Sequence, residues 1–425
     1  MKAIDSEPGP PGELQAGRAA RRMAGPAAGG ALLLAGILAV AFNMRAAITG
    51  LPPVYPELSA ADYSAITLSA LAAVPVFSFA LFSGLAPALA RRIGEERVLG
   101  LALLLLAVGL GLRALAPGVL LFPGTVVASC AIALMNVLLP SLVKRRKPDA
   151  AGLVIGLYLL SLTAGAVIAS VIAVPVFTAA GSTGAAIRVT LGMWALPAVG
   201  AIVIWLPQVR FRTVPGPSGR PGMRAMGRHW LTWQVTAFMG LQSLGYYTTL
   251  SWFPTMFRDH GISAAAAGNL LALMNLGNGI TGLITPILAQ RLRDQRVLAA
   301  AAVTSIVLGL LGAGFGPNSV AVESVILLGI GQGAAFSLSI YYVAARAADA
   351  RAAAELSGFS QAVGYLVAGT GPLLIGLLHT ATGGWTIPLV ILLTVAAGQM
   401  ISGVLAGRNR VIGATGPVPA SADAT

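Results

Sequence analysis

The feature that most restricts the fold of this chain is a series of apolar runs, each about as long as a membrane-spanning helix. Twelve such runs follow one another from Ala31, with short polar breaks between them. A helix needs about 20 residues to cross the hydrocarbon core of a bilayer. None of the runs alternates polar and apolar residues as the strands of a membrane barrel do, so each predicts a transmembrane helix. The predicted spans are 31–54, 64–90, 98–115, 118–142, 151–178, 188–207, 230–256, 264–289, 297–316, 319–346, 354–379 and 385–406.

The composition also indicates a protein that lies in a bilayer. Charged residues make up 10% of the 425 residues and hydrophobic residues 56%, whereas a soluble protein carries about 25% charged residues. Cys130 is the only cysteine, which excludes an internal disulfide and a metal site built from cysteines. The sequence has no G-x-x-x-x-G-K-[ST] phosphate-binding loop, so we expect no ATP-driven step in this chain. We also expect no metal and no cofactor.

The non-membrane segments divide the chain into two membrane domains. Residues 1–30 and 407–425 are predicted to be disordered cytoplasmic tails, because they lack apolar periodicity. The basic, Pro- and Gly-rich segment 208–229 is predicted to be a cytoplasmic linker. It separates an N-terminal six-helix bundle, 31–207, from a C-terminal six-helix bundle, 230–406.

An internal repeat relates the two bundles. The segment APALARRIGEERVL, residues 86–99, resembles TPILAQRLRDQRVL, residues 285–298, which lies 199 positions later. The same offset places 31–207 on 230–406. Paired repeats of this kind are typical of secondary transporters. The predicted fold is therefore an all-α polytopic membrane protein with 12 transmembrane helices in two pseudo-twofold-related six-helix bundles.

The basic residues predict the orientation in the membrane. With the N-terminus in the cytoplasm, 23 of the 27 Lys and Arg residues fall on the cytoplasmic side. Arg113, Arg188 and Arg258 lie at outer helix ends, and Arg45 is the remainder. This bias predicts an inner (plasma) membrane protein with both termini in the cytoplasm. The net charge of +13 then reflects membrane topology and anionic lipid, and nucleic acid is not an expected partner.

Several motifs resemble a known transporter family. Over 31–406 the chain resembles the major facilitator superfamily, and more specifically its cyanate/nitroimidazole permease branch. The motifs are NMRAAITGLPPVYPEL, NVLLPSLVKRRKPDAAGLVIGLY, GLQSLGYY with SWFP, GQGAAFSLS and SGFSQAVGYLVAGTGPLLIGLLH. The resemblance implies an alternating-access transporter of small anions or small heterocycles, a monomer, and a cavity lined by the first, fourth, seventh and tenth helices. It does not extend to the acid of the superfamily's G-x-x-x-D-R-x-G-R-R pattern, because GLAPALARRIG has none before Arg91, so the cytoplasmic latch ascribed to that acid is not expected.

Arg45 is the one formal charge in the predicted membrane interior, since every acidic residue and histidine falls in a tail, a loop or a helix end. An arginine at the bilayer centre costs about 3 kcal/mol on insertion scales. If Pro52 and Pro53 end the first helix early, the side chain could reach the outer interface by snorkelling. Alternatively, its five N–H donors could face a water-filled cavity and bind an anionic substrate. The family resemblance, in whose motif this arginine falls, favours the second interpretation.

Other polar residues in the spans complete the candidate site. Gln242, Tyr246 and Thr249 are spaced to share one face of the seventh helix, and Asn43 is the repeat equivalent of Gln242. The alternative for each is a hydrogen bond between helices, worth about 0.6 kcal/mol. The candidate substrate-binding residues are Arg45, Asn43, Asn136, Tyr158, Gln242, Tyr246, Gln332 and Gln361.

The predicted function is secondary active transport by alternating access of a small anion or small polar solute, cyanate-like, bound around Arg45. The alternative is a drug or heterocycle exporter in which Arg45 is structural, and a non-transporting receptor of the same fold also stays open. An enzyme is not expected, because the spans hold no paired carboxylates, metal ligands or activated nucleophile. The expected partners are the small-molecule substrate and the lipid bilayer.

Overall fold

The computed structural model describes residues 25–214, 226–348 and 350–412. Within these ranges the chain forms twelve long helices in two bundles, which confirms the predicted fold. Most residues of the predicted tails 1–30 and 407–425 lie outside the described ranges, and so do residues 215–225 of the predicted linker 208–229.

The first bundle contains six helices, three of which are interrupted. Helix α1 is followed by two short helices, Pro52–Val54, which is buried, and Tyr55–Ala60. Helix α2 continues after one turn as Ala86–Ile93. The helices are α1 Gly25–Thr49, α2 Ala65–Phe82, α3 Glu95–Leu115, α4 Pro117–Arg146, α5 Ala151–Ala179 and α6, which comprises Thr183–Gly192 and Ala195–Trp205.

The second bundle repeats this plan. Its helices are α7 Trp230–Asp259, α8 Ala264–Arg291, α9 Arg296–Phe315, α10 Ala321–Ala345, α11 Ala350–Thr382 and α12 Thr386–Ala406. By length and composition, eleven of the twelve helical regions are apolar enough to cross a membrane, and α7 is the exception. Most residues of α7 are buried, including Gln242, Ser243 and Thr248, because α8, α10, α11 and α12 pack around it. Its polar side chains therefore avoid lipid.

The start of α1, the α6–α7 connection and the end of α12 lie at one end of the molecule, which we call the linker side. Chain segments that follow α6 and α12 fold back there onto the helix ends. Glu95 at the start of α3 donates its backbone N–H to Thr213 O at 2.9 Å, and Gln295 donates to Gly407 O at 3.2 Å. The opposite end is the far side.

Two helix pairs join the bundles on the far side. They are α2 with α11 and α5 with α8, and the internal repeat maps one pair onto the other. In the α5–α8 pair, a Cβ at Gly268 would lie 2.7 Å from the backbone oxygen of Ser170, so the close approach requires glycine. An ion pair also links the bundles, with Arg258 Nη1 2.5 Å from Glu57 Oε1. The far side is thus closed.

Buried charges are more numerous than the sequence predicted. Arg113, expected at an outer helix end, lies at the end of α3 but is only 4% exposed. Its Nη1 donates to Ala47 O at 3.3 Å. The last carbonyls of a helix lack partners within it, and Leu51 N, four residues after Ala47, donates to Ile48 O instead. Arg113 therefore supplies the donor for Ala47 O at the broken end of α1. The sequence analysis thus placed Arg113 correctly at a helix end but did not predict its burial.

A second set of buried charges lies on the linker side. Glu95 and Glu96, at the start of α3, are 0% exposed although they were placed at a helix end. Glu96 accepts hydrogen bonds from Thr213 N at 2.7 Å and Thr213 Oγ1 at 2.5 Å, and Arg146 lies 3.4 Å away. Glu95 accepts from Ser141 Oγ at 2.8 Å. The first bundle therefore carries a carboxylate-to-arginine contact after Gly94, where the sequence pattern had suggested none.

We expect Glu96→Ala to destabilise the protein by about 2–4 kcal/mol, because it leaves Thr213 N and Arg146 without their buried partner. The measurement is the thermal unfolding of the detergent-purified protein followed by fluorescence. Asp294→Ala is the matched control in the repeat, since its ion pair with Arg296 is exposed and worth about 1 kcal/mol or less. Equal losses in the two variants would contradict the stabilising role of Glu96.

Candidate substrate site

A cavity of about 640 Å³ lies between the two bundles. Residues of α1, α4, α5, α7, α8, α10 and α11 line it. Lys144, Pro286 and Ser357, which line its mouth, all belong to the linker-side parts of their helices. Ala166 and Asn275 are the lining residues of α5 and α8 nearest the far side, and beyond them the two helices come into contact at Ser170 and Gly268. The cavity therefore opens on the linker side and is closed on the far side.

The packing of α1 directs Arg45 into this cavity. Met44, Ala46 and Ala47 are buried in the first bundle, so the residue between them points the other way. The Arg45 side chain is partly exposed and lines the cavity. Thr49 Oγ1 donates to Arg45 O at 2.9 Å, which holds the last turn of α1. Arg45 thus lies near a helix end, but its side chain faces the space between the bundles.

Arg45 contacts the opposite bundle through Tyr246. Arg45 Nη1 lies 3.4 Å from Tyr246 Oη, and its Cζ is 5.4 Å from the centre of that ring. Tyr246 Oη in turn donates to Asn275 Oδ1 at 3.1 Å, and Asn275 Nδ2 donates to Leu271 O at 2.9 Å. Because Tyr246 uses its proton on Asn275, its oxygen is free to accept from Arg45. One of the five guanidinium N–H donors is used in this way.

The cavity wall has an uncompensated positive charge. Its charged lining residues in the described part of the chain are Arg45 and Lys144, and no Asp or Glu is among them. Tyr158, Tyr246 and Tyr365 line the same cavity near Arg45. An arginine surrounded by tyrosines offers charged donors together with flat, weakly polar ring faces. Such a wall suits a small anion with a planar body.

A smaller recess adjoins Arg45. It holds about 10 Å³, which is space for about one water molecule. In its wall Ser243 Oγ donates to Gln242 Oε1 at 3.1 Å. The recess is lined by Arg45, Gln242, Ser243, Tyr246, Tyr247, Asn278, Phe336 and Tyr365.

The structure brings six of the eight candidate residues together. Five of them line the main cavity, and Gln242 lines the recess. The five are Arg45, Asn136, Tyr158, Tyr246 and Gln361.

The other two candidates lie away from the cavity and join helices. Asn43 Nδ2 donates to Ala39 O at 2.9 Å and to Pro197 O at 3.1 Å, which ties α1 to α6. Gln332 Nε2 donates to Thr249 Oγ1 at 2.8 Å, which ties α10 to α7. These bonds match the alternative of hydrogen bonds between helices, and substrate binding by Asn43 and Gln332 stays a prediction.

Two of the lining residues that the sequence reasoning missed had a signal in the sequence. Tyr247 borders the recess beside Tyr246, and the GLQSLGYY motif contained both tyrosines. Lys144 lines the mouth, but in the sequence it is one of four consecutive basic residues that were attributed to topology. The available signal was its position four residues after Pro140 and eight after Asn136, which puts the three residues on one face of the helix.

We expect Tyr246→Phe to weaken substrate affinity by about tenfold or less, because one neutral hydroxyl contributes about 1 kcal/mol. The measurement is the ligand-induced shift in melting temperature, with the compound that gives the strongest counterflow in proteoliposomes. Tyr341→Phe, on α10 and outside the cavity lining, is the matched control. Unchanged affinity in Tyr246→Phe would show that the Arg45–Tyr246 contact serves only to join the bundles.

Two six-helix bundles related by an internal repeat, with a cavity between them reached from one side, define a secondary membrane transporter. The chain belongs to the major facilitator superfamily, whose profile matches residues 33–372 and 235–411. It is 38% identical over 386 residues to the 2-nitroimidazole transporter of Escherichia coli (strain K12), covering 90% of this chain and 96% of that protein. It is 37% identical over 383 residues to the uncharacterized transporter YycB of Bacillus subtilis (strain 168), covering 89% of this chain and 94% of that protein.

A third relative is the cyanate transport protein CynX of Escherichia coli (strain K12), 28% identical over 381 residues, with 86% of this chain and 94% of that protein covered. The chain is therefore placed with cyanate and nitroimidazole transporters and is not an enzyme. Solved structures with the same fold include a bacterial homolog of the human lysosomal transporter Spinster, in an inward-facing and occupied conformation. The TM-score is 0.65 at 17% identity, covering 90% of this chain and 94% of that one. For the D-xylose-proton symporter the TM-score is 0.64 at 13% identity, covering 88% of this chain and 95% of that one.

Proposed function

We propose that this transporter carries a small, cyanate-like anion by alternating access, and that the anion binds Arg45 at the blind end of the cavity. The observation that carries this proposal is the uncompensated guanidinium. One of its N–H donors meets Tyr246, and the described cavity lining contains no carboxylate. A cation without a counter-ion inside a membrane protein is costly, so an anionic substrate is the partner that would offset this cost.

The orientation of the cavity supports a cytoplasm-facing state. The positive-inside bias predicts that the linker side, on which the cavity opens, is the cytoplasmic side. We propose that the protein lies in the inner membrane as a monomer with both termini in the cytoplasm. Substrate would then enter from outside after the α2–α11 and α5–α8 contacts separate.

A second candidate is export of a neutral heterocycle, with Arg45 as a structural residue. The aromatic lining favours it, since Tyr158, Tyr365 and Phe336 offer ring faces for stacking. One relative is named a 2-nitroimidazole transporter. In this case Arg45 would hold Tyr246 and through it the two bundles.

Charge movement separates the two candidates. Arginine does not release its proton near neutral pH, and the described lining residues include no Asp, Glu or His that could carry one. An anion that moves alone would therefore carry its charge across the potential, at about 2.3 kcal/mol per 100 mV. Exchange for a second anion or entry with a cation would cancel that charge.

The experiment is counterflow in proteoliposomes that contain the purified full-length protein. Labelled cyanate, benzoate and 2-nitroimidazole are compared at fixed pH, with the membrane voltage set by potassium and valinomycin. The anion proposal predicts saturable counterflow of at least one anion, competed by the others. Counterflow of 2-nitroimidazole alone, unaffected by voltage or by excess anion, would support the heterocycle candidate and overturn the anion proposal.

A further inference from the structure

Lys144 lies at the mouth of the cavity on the face of α4 that lines it. It belongs to the last turn of α4 and is exposed. Asn136 and Pro140, eight and four residues earlier, line the same cavity. At a rise of 1.5 Å per residue, Asn136 lies about 12 Å deeper along the helix than Lys144. The ammonium group therefore stands beside the route between the linker side and Arg45.

The charge of Lys144 has no partner within the described part of the chain. Its neighbours Arg145 and Arg146 contact the buried carboxylates of Glu95 and Glu96. Among residues 25–214, 226–348 and 350–412, none forms an ion pair or a hydrogen bond with Lys144. In a narrow aqueous opening between low-dielectric walls, an unpaired charge acts on passing ions more strongly than on an open surface.

We propose that Lys144 is a second anion-binding position, at the mouth of the cavity, which substrate occupies between the linker side and Arg45. Its role as a position on the substrate route rests on the proposed function. The electrostatic field at the mouth does not depend on that proposal. Lys144 concentrates anions in the mouth and excludes cations, and so acts on the rate of entry and exit more than on the affinity at Arg45.

The test measures this field with a thiol reporter and without substrate. The native Cys130 is replaced by Ala, and Asn136, which is exposed to the cavity, is replaced by Cys. The full-length protein is then treated with a methanethiosulfonate that carries a sulfonate and, separately, with one that carries trimethylammonium. Both reagents attack the same thiolate, so the ratio of their rates cancels thiolate reactivity and reports the local potential.

We expect Lys144→Gln to lower the ratio of the two modification rates, anionic reagent over cationic reagent, about threefold at low salt. This is the effect of removing a unit charge that acts over about 12 Å of water. Lys144→Arg should keep the ratio. Lys147→Gln is the matched control, because its ammonium packs beside Gly30 and does not line the cavity. In 1 M salt the effect of Lys144→Gln should vanish, because the Debye length falls to about 3 Å.

An unchanged ratio in Lys144→Gln, or an equal change in Lys147→Gln, would overturn the proposal and leave Lys144 as a topology-determining charge only. If Lys144→Gln does not fold, the Asn136→Cys protein with Lys144 intact still gives an answer. Its ratio must fall with rising salt, and a salt-independent ratio contradicts the proposal. Because no substrate is added, failure here is distinct from failure of anion counterflow, which tests the proposed function.

Discussion

Arg45→Ala is expected to abolish substrate binding, with an affinity loss of at least about 100-fold, while the protein still folds and enters the membrane. Hydrogen bonds to a charged group contribute about 1.5–3 kcal/mol each, and a guanidinium can offer two in parallel to one anion. Arg45→Lys should recover little of this, because a compact ammonium cannot replace the planar fork. The measurements are counterflow in proteoliposomes and the ligand-induced melting shift.

The matched control for Arg45 is Arg188→Ala, which removes an exposed arginine from α6 that does not line the cavity. It should transport normally. Near-normal counterflow by Arg45→Ala, at equal amounts of folded protein, would contradict the anion site. It would assign Arg45 to the contact with Tyr246 alone.

Gly268→Ala is expected to shift the protein away from the state that opens on the linker side. The added Cβ would lie 2.7 Å from Ser170 O, a backbone atom that cannot rotate aside. Overpacking of this kind costs about 1–3 kcal/mol, which corresponds to about a 5- to 150-fold change in the ratio of the two states. Because Gly268 and Ser170 belong to different bundles, only the state with a closed far side bears this cost.

The shift can be measured with spin labels at Asp149 and Arg291, exposed positions near the linker-side ends of α5 and α8. Pulsed dipolar spectroscopy should show a shorter distance in Gly268→Ala, and counterflow should slow. Gly277→Ala is the matched control on α8, because its Cβ would lie 3.4 Å or more from α10 of the same bundle. An unchanged distance distribution in Gly268→Ala would show that the α5–α8 contact does not set the equilibrium.

The helices were predictable because the bilayer fixes their length and excludes most other backbone structures. The repeat at an offset of 199 residues then paired the halves, and even the polar span 230–256 was placed correctly. Helix ends were less predictable. Glu95 and Glu96 were placed at a helix end with no partner named, whereas the segment around Thr213 folds back and buries them.

The charged residue of the candidate site could be predicted from the sequence, but the packing partners of the neutral polar residues could not. Arg45 stood out because nothing in its span could neutralise it. Asn43 and Gln332 have the same residue chemistry as the lining amides, but helical spacing does not say which neighbour a side chain meets. Only the assembled bundles show that Pro197 and Thr249 take their hydrogen bonds.

The polarity of α7 has a consequence for how the protein is made. A ribosome delivers α7 to the translocon before α8, α10, α11 and α12, the helices that later surround it. Alone in lipid, side chains of α7 that bond to other helices, such as Thr236 to Ser360 of α11, would lack those partners. Each would add to the cost of partitioning from the translocon. Stable insertion of α7 therefore depends on helices synthesised after it. Biogenesis of the second bundle is cooperative, and a nascent chain truncated just after α7 would be a substrate for membrane quality control.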